Sequence, residues 1–439
     1  MHASIEKGDW PKNSRVITES WLKEGLKDRG ITRDVKWGVP VPLEGFEKKV
    51  LYVWFEACIG YPSITANYTP EWERWWRNPE EVQLYQFLGK DNVPFHSVIF
   101  PGCQIGTREK WTQLHHLSTT EYLNYENGKF SKSRGVGVFG NNAKETGVPP
   151  DVWRYYLLKN RPESGDTQFE WRSFIESNNS ELLAKLGNLV NRVVKLVASP
   201  KAYSGTVPDF TVSETFQPTL DDITEILRQY IDEMENVHLR AALTTAMRLA
   251  EAGNGLIQAN KLDNNLIANE PERAAAVVGI TVNLIYLLSS VFVPYLPATS
   301  TSILEQLDVP PALIPSLDDI KDGWKPTLIK PGHKLGKAKY LFSQIDMKKA
   351  DEWRTKFGGS QTERQKKEEE AAKLAAKKAA DKAKKKDKKK GKKEKSDQDV
   401  EASAKGGKEQ ELDTNPSSKD NDNVDKVADG VAQVTLPTS

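Results

Sequence analysis

Residues 128–135 read Gly-Lys-Phe-Ser-Lys-Ser-Arg-Gly, and this stretch tells more about the fold than any other in the chain. It follows Tyr122-Leu123-Asn124-Tyr125 and places two lysines, two serines and an arginine on a turn flanked by glycines. Such a set of mobile donors suits a polyphosphate ligand. Basic loops rich in serine are also common on protein surfaces, so composition alone leaves a solvated surface loop open.

Two further stretches combine aromatic residues with turn signals. Residues 53–61 read Val-Trp-Phe-Glu-Ala-Cys-Ile-Gly-Tyr, and residues 87–96 read Phe-Leu-Gly-Lys-Asp-Asn-Val-Pro-Phe-His. A thioether side chain is attracted to aromatic edges by about 0.3–1.5 kcal/mol, so an aromatic pocket suits methionine. Aromatic residues in such patterns are also typical of a protein core, which stays open on this evidence.

Together the three stretches resemble methionyl-tRNA synthetases, a family of class I aminoacyl-tRNA synthetases. Residues 129–133 are similar to the KMSKS signature, with Phe130 in place of methionine. The resemblance implies that Lys132 is the catalytic residue, because a cation placed where charge moves onto the leaving pyrophosphate lowers the barrier. It also implies that Lys129, Ser131 and Lys132 hold ATP, with Gly89 and Asp91 on the ribose side of the site.

The same resemblance implies a methionine pocket and substrates for the reaction. The residues that would line the pocket are Trp54, Ala57, Cys58, Tyr61, Phe95 and His96. Cys58 departs from the family, which often has proline at that position. Mg²⁺ would accompany ATP, and the implied partners are methionine, ATP and the initiator and elongator methionine tRNAs. Docking in a multi-synthetase complex stays open.

Residues 182–197 predict an amphipathic helix, because their apolar side chains fall on one face at helical spacing. Asn188 and Arg192 lie on the opposite, solvent-facing side, where an ordinary polar face would also place them. The resemblance implies that this pair reads the anticodon, since an amide and a guanidinium can hydrogen-bond unstacked bases. Residues 258–263 lack the Pro-Trp dipeptide that many family members use to stack an anticodon base.

Four regions follow along the chain. Residues 1–161 predict the later half of an α/β Rossmann-type catalytic domain, with the apolar runs 50–55 and 97–100 as buried strands. Residues 162–346 predict an all-α anticodon-binding bundle, in which the apolar stretch 277–296 is a buried helix and not a membrane span. Residues 347–395 predict a helical or disordered Lys-rich extension, and residues 396–439 an acidic disordered tail.

Charge and cysteine content limit the function classes. Residues 363–395 hold 16 Lys and Arg against 7 Asp and Glu, which suits nonspecific tRNA attraction, although a solubilising linker fits equally. Only Cys58 and Cys103 are present, and their spacing suggests neither a disulfide framework nor a metal knuckle. We therefore expect a cytoplasmic protein with no membrane partner, no metal ligands and no zinc site.

The expected function is that of a methionine-tRNA ligase, which forms methionyl-adenylate from ATP and transfers methionine to its tRNA. None of the six histidines lies in the His-x-Gly-His motif that completes a class I ATP site. We therefore expect a fragment of a longer enzyme or the product of a truncated gene. A noncatalytic tRNA-binding protein derived from this family is the alternative, and another class I synthetase is a less favoured one.

Overall fold

The computed structural model describes residues 10–52, 57–359 and 373–374. The chain divides into two compact units, residues 1–367 and 368–439. Of the second unit, the structure describes only Lys373 and Leu374, which are helical. Most of the predicted Lys-rich extension and all of the predicted acidic tail therefore lie outside the described residues, and the account below concerns the first unit.

The described secondary structure begins with an α/β part and continues as a helical bundle. The strands are β1 (Thr32–Arg33), β2 (Val50–Leu51), β3 (Leu84–Gly89), β4 (Leu114–Thr120), β5 (Leu123–Tyr125) and β6 (Thr167–Phe169). The α-helices are α1 (Lys12–Glu24), α2 (Gly60–Tyr68), α3 (Glu73–Trp76), α4 (Phe100–Gly106), α5 (Gly140–Glu145), α6 (Pro150–Lys159), α7 (Trp171–Glu176), α8 (Asn188–Ala198), α9 (Gln217–Glu235), α10 (Leu239–Ala259), α11 (Asn264–Asn269), α12 (Pro271–Val291), α13 (Pro297–Leu307) and α14 (Lys348–Lys356).

Three strand pairs organise the α/β part. Strands β3 and β4 are parallel, with Leu84 opposite Leu114 and Gly89 opposite Thr120, and β5 and β6 are also parallel. Strands β1 and β2 are antiparallel. A parallel pair needs a crossover connection, which the helical segment between β3 and β4 provides. The predicted order of an α/β part followed by an all-α bundle is confirmed.

The predicted strand at residues 97–100 is wrong, because this run is helical. A π-helical segment at Phe95–Ile99 runs directly into α4 and begins after Pro94, whose φ of −60° suits a helix start. The run buries one face, and the Ser97 hydroxyl accepts a hydrogen bond from Thr18 at 2.8 Å. A short apolar run cannot be assigned to strand or helix by periodicity alone, which explains the error.

The predicted strand at residues 50–55 is confirmed only in its first part. Val50 and Leu51 form β2, and Val50 pairs with Arg33 of β1. Residues 53–56 lie outside the described residues, so the rest of this prediction stays untested. The turn that precedes β2 also places Pro40 opposite Val50 in an isolated antiparallel bridge.

Helix α12 forms the centre of the bundle. All of its residues from Ala274 to Val291 are buried, as predicted for the apolar stretch that overlaps it. Its length and composition alone would suffice to cross a membrane, but the apolar window lies entirely inside the protein, as in the core helix of a bundle. The buried Asn283 on this helix donates a hydrogen bond to the Ile329 carbonyl at 3.0 Å and accepts one from the Ile329 amide.

One continuous core joins the end of the α/β part to the bundle and to α14. The ring of Trp171 is fully buried and lies 5.0 Å from the ring of Trp353 and 5.7 Å from that of Phe357. Residues 348–357 therefore belong to the folded core, although the sequence analysis assigned them to the extension. The predicted boundaries at residues 161 and 346 stay predictions, since buried side chains pack across both positions.

Replacement of Trp353 by alanine tests the contribution of α14. Loss of a buried tryptophan leaves a cavity beside Trp171, so we expect the free energy of unfolding to fall by about 3–5 kcal/mol. Urea unfolding followed by circular dichroism measures the change. Leu313→Ala is the control, because Leu313 is 92% exposed. Equal unfolding midpoints for the two variants would show that α14 is not part of the cooperative unit.

Candidate functional site

Asp91, a predicted nucleotide-binding residue, and Tyr122 follow the carboxyl ends of the paired strands β3 and β4. Asp91 lies two residues beyond the end of β3, and Tyr122 lies two residues beyond the end of β4. The loop of residues 129–133 follows β5, the next strand along the chain. In open α/β sheets, ligands bind outside the carboxyl ends of the strands. The topology therefore brings Asp91 and Tyr122 to one edge of the sheet.

Residues 131–136 form a tight hairpin. The Ser131 amide donates to the Val136 carbonyl at 2.8 Å, and the Val136 amide donates to the Ser131 carbonyl at 2.9 Å. The Gly137 amide then donates to the Phe357 carbonyl at 2.8 Å, and Val136 pairs with Gly358 in an antiparallel bridge. The base of the loop is thus fixed by main-chain hydrogen bonds to the segment after α14.

Phe130 anchors the loop on its apolar side. Its ring lies 5.3 Å from that of Tyr125 and 5.8 Å from that of Phe139 in an edge-to-face contact. Gly137, with a φ of +114°, leaves room for this ring, since a Cβ atom there would lie 2.2 Å from Cδ1 of Phe130. Phenylalanine in place of the methionine of the signature therefore serves as a packing residue that holds the loop against Tyr125 and Phe139.

The loop presents its charged groups to solvent. Lys129, Lys132 and Arg134 are exposed, and Arg134 Nε donates to the Ser131 hydroxyl at 3.0 Å. Two primary ammonium groups on a turn with a fixed base can reach different oxygens of a polyphosphate chain. Lys129, Ser131 and Lys132 lie on the same loop, and their contact with ATP stays a prediction.

Tyr61 and His96 form the polar centre of the predicted methionine pocket. The Tyr61 hydroxyl lies 2.8 Å from Nε2 of His96, and Nδ1 of His96 lies 2.7 Å from the Asn92 carbonyl oxygen. Because a carbonyl only accepts, Nδ1 carries the proton and Nε2 of the neutral ring accepts from Tyr61. Burial lowers the pKa of His96, which favours this neutral form.

Tyr61 packs against a cluster of aromatic side chains. Its ring stacks at 6.5 Å on Trp76 and lies 6.4 Å from Phe100, while Phe95 packs against the same cluster. Trp76 and Phe100 were missed by the sequence analysis, since a buried tryptophan in a helix gives no signal of proximity to a ligand. Tyr61 is 40% exposed.

The other predicted pocket residues are only partly described. Ala57 begins a 3₁₀ turn at Ala57–Ile59 and is exposed. Trp54 lies outside the described residues, and so does the side chain of Cys58. The structure therefore brings together Tyr61, Phe95 and His96 of the six predicted residues, and it does not test the rest.

A charged cluster surrounds Asp91. The Tyr122 hydroxyl lies 2.7 Å and 2.6 Å from the two carboxylate oxygens of Asp91, and this hydrogen bond raises the pKa of the phenol. Lys90 Nζ lies 2.5 Å from a carboxylate oxygen of Glu121 and 3.5 Å from one of Asp166. The hydrogen bond to Glu121 raises the pKa of Lys90, and the same contact lowers the pKa of Glu121.

Helix α8 exposes the predicted anticodon pair. Asn188 and Arg192 are both exposed, one helical turn apart, while the apolar side of the helix is buried. This orientation is as predicted, and the contact with an anticodon stays a prediction. Leu262, in the stretch without the Pro-Trp dipeptide, is buried, and the preceding Asn260 lines a cavity of about 1130 Å³ between α10, α12 and residues 209–219.

Within residues 10–52 and 57–359, no group of three or more His, Cys, Asp and Glu side chains is placed to hold a metal ion. Cys103 is a free thiol in the same part of the chain, and burial raises its pKa. A raised pKa keeps a thiol protonated and unreactive, so we assign Cys103 no chemistry.

Two family models match the chain. The model described as class I tRNA synthetases (M) matches residues 2–194, and the model for the anticodon binding domain of methionyl tRNA ligase matches residues 208–362. Together they account for nearly all the residues that the structure describes. Both belong to the family that residues 53–61, 87–96 and 128–135 resemble.

Curated relatives agree with the family models. The cytoplasmic methionine–tRNA ligase of Saccharomyces cerevisiae is 56% identical over 363 residues, which cover 82% of this chain and 47% of that protein. The cytoplasmic human enzyme is 47% identical over 360 residues, which cover 82% of this chain and 39% of that protein. The chain therefore spans about half the length, or less, of the curated relatives it matches.

Solved structures agree at the level of the fold. The Mycobacterium tuberculosis methionyl-tRNA synthetase in complex with methionyl-adenylate superposes with a TM-score of 0.65 at 20% identity, over 77% of this chain and 65% of that one. Its free form gives a TM-score of 0.64 at the same identity, over 78% and 66%.

Replacement of Gly137 by alanine tests the anchor of the loop. The new methyl group would overlap the Phe130 ring at a cost of about 1–3 kcal/mol, so we expect the ring to leave its site and the loop to open more often. Trypsin should then cleave after Lys129 or Lys132 about fivefold faster or more, since cleavage follows the open population. Gly140→Ala is the control, because a Cβ atom at Gly140 meets nothing within 4 Å. Similar cleavage rates in the two variants would contradict the anchoring role of Phe130.

Proposed function

Because the chain belongs to the methionyl-tRNA synthetase family, we propose that it acts in the ATP-dependent activation of methionine and its transfer to methionine tRNA. The observation that carries this proposal is the basic loop anchored by Phe130, in which the hairpin of residues 131–136 presents Lys132 to solvent and Lys129 is exposed just before it. Since the chain spans about half of its curated relatives, the activity of the whole enzyme is part of the proposal.

ATP binds in this proposal between the loop and the end of β3. Lys132 contacts the phosphates and stabilises the negative charge that develops on the leaving pyrophosphate, while Lys129 and Ser131 hold the nucleotide. Gly89 permits close approach of the nucleotide, and Asp91 accepts a hydrogen bond from a ribose hydroxyl. Mg²⁺ would bind together with ATP, through oxygen atoms of its phosphates.

Methionine binds in this proposal beside Tyr61, Phe95 and His96, which the fold brings together. The neutral His96 and Tyr61 already share a hydrogen bond, so neither presents a full charge to the thioether. The aromatic cluster of Trp76 and Phe100 keeps the Tyr61 ring in place. An apolar, polarizable side chain gains dispersion contacts from such a wall without any cost of burying a charge.

The tRNA contacts belong to α8 in this proposal. Asn188 and Arg192 read the anticodon that initiator and elongator methionine tRNAs share, and the exposed position of both side chains supports this role. We place the reaction in the cytoplasm, because the matching relatives from yeast and human carry that description.

A noncatalytic tRNA-binding protein is the second candidate function. None of the six histidines in the 439 residues lies in a His-x-Gly-His motif, which in class I enzymes completes the ATP site. Methionine-dependent exchange of pyrophosphate into ATP by this chain would support the ligase. Binding of methionine tRNA in a gel shift without any exchange would support the second candidate.

Lys132→Ala tests the catalytic assignment. Removal of the cation should reduce methionine-dependent pyrophosphate exchange by about 100-fold or more, as for loss of one preorganised electrostatic contact. Methionine affinity in equilibrium dialysis should not change, because the side chain acts on the departing phosphates. Lys144→Ala is the control, since Lys144 is exposed on the nearby helix α5. Undiminished exchange in Lys132→Ala would remove Lys132 from the reaction.

Arg192→Ala tests the anticodon assignment. The variant should lose about tenfold or more in the kcat/KM of tRNA charging, as expected for loss of a good base contact, and should keep pyrophosphate exchange intact. Lys195→Ala is the matched control, because it removes a positive charge from the same helix and leaves Arg192 in place. An equal loss in both variants would indicate general phosphate attraction in place of base reading.

A further inference from the structure

Tyr122 is held in place by contacts that do not involve its hydroxyl. Its amide donates to a carboxylate oxygen of Asp166 at 3.0 Å, and Lys90 Nζ lies 4.2 Å from the centre of its ring. Lys90 is itself held between Glu121 and Asp166. These contacts of the backbone and the ring fix the orientation of Tyr122 without any contribution from its hydroxyl.

The hydroxyl of Tyr122 points at Asp91 and lies almost equally far from both carboxylate oxygens, at 2.7 Å and 2.6 Å. Within the described parts of the chain, it is the one hydrogen-bond donor found on Asp91. The carboxylate is exposed and offers about four acceptor positions, of which a single hydroxyl proton fills at most one. The others stay available to a ligand at the carboxyl ends of β3 and β4.

We propose that Tyr122 is a positioning residue that orients the Asp91 carboxylate to accept a hydrogen bond from the ribose of ATP. This inference rests on the proposed function, in which Asp91 binds the ribose. An exposed aspartate otherwise samples several rotamers, and fixing one of them before binding reduces the entropy that the nucleotide must overcome. Tyr122 thereby sets the preference for a nucleotide with its full complement of ribose hydroxyls.

Tyr122→Phe removes the hydroxyl and keeps the ring over Lys90. The dissociation constants of ATP, 2′-deoxyATP and 3′-deoxyATP are measured by titration calorimetry with Mg²⁺, for the 439-residue chain and for the variant. We expect the original chain to prefer ATP over at least one deoxynucleotide. The variant should lose roughly three- to tenfold of that preference, as for the loss of one hydrogen bond. Asp91→Asn should also lower the preference, and Tyr122→Phe should add nothing in that background.

Tyr340→Phe is the matched control. The Tyr340 hydroxyl lies 2.9 Å from Lys195 Nζ, and that nitrogen lies 4.3 Å from the ring centre, so this tyrosine makes a similar lysine contact far along the chain. Tyr340→Phe should keep the full preference, and a loss equal to that in Tyr122→Phe would overturn the proposal. An unchanged preference in Tyr122→Phe overturns the role of Tyr122 alone. A chain without any ATP binding overturns both this role and the ATP site of the proposed function.

Discussion

The burial of Trp171 is the interaction on which the rest of the fold depends. Its ring is fully buried against Phe169, Trp353 and Phe357. Its indole nitrogen donates to the Tyr125 hydroxyl at 2.8 Å, so the ring is satisfied in its polar as well as its apolar contacts. One side chain thus joins the strand that precedes the basic loop, the first helix of the bundle and the segment after α14.

This shared core explains how a charged loop can have a defined position. Lysines and serines cannot form a core, so the loop takes its geometry from the apolar residues on either side of it. Phe130 packs on Tyr125, which is held by Trp171, and Gly137 donates to the carbonyl of Phe357, whose ring stacks on Trp171. Both ends of the loop therefore contact residues that pack against or hydrogen-bond to the buried indole of Trp171. Lys132, which lies between these two ends, is exposed while the base of the loop stays fixed.

The sequence predicted the parts of the site that depend on local pattern. The periodicity of residues 182–197 predicted the exposed positions of Asn188 and Arg192, because the spacing of residues along a helix determines which face each side chain lies on. Features that depend on distant partners were not predictable. Residues 348–357 are rich in lysine and acidic residues, and the burial of Trp353 and Phe357 is evident only from their contacts with Trp171. The hydrogen bond between Tyr122 and Asp91 was not predictable either, since it depends on the parallel pairing of β3 and β4.

Side-chain hydrogen bonds also join α6 to the segment that follows α12. The buried Asp151 of α6 accepts two hydrogen bonds from Thr299 at 2.7 Å, and Arg154 donates to the carbonyls of Pro294 and Tyr295. These contacts tie α6 to the turn after α12 and to the start of α13. Polar contacts in a packed interior have few alternative geometries, so Asp151 and Thr299 help to specify a single arrangement of α6 and α13.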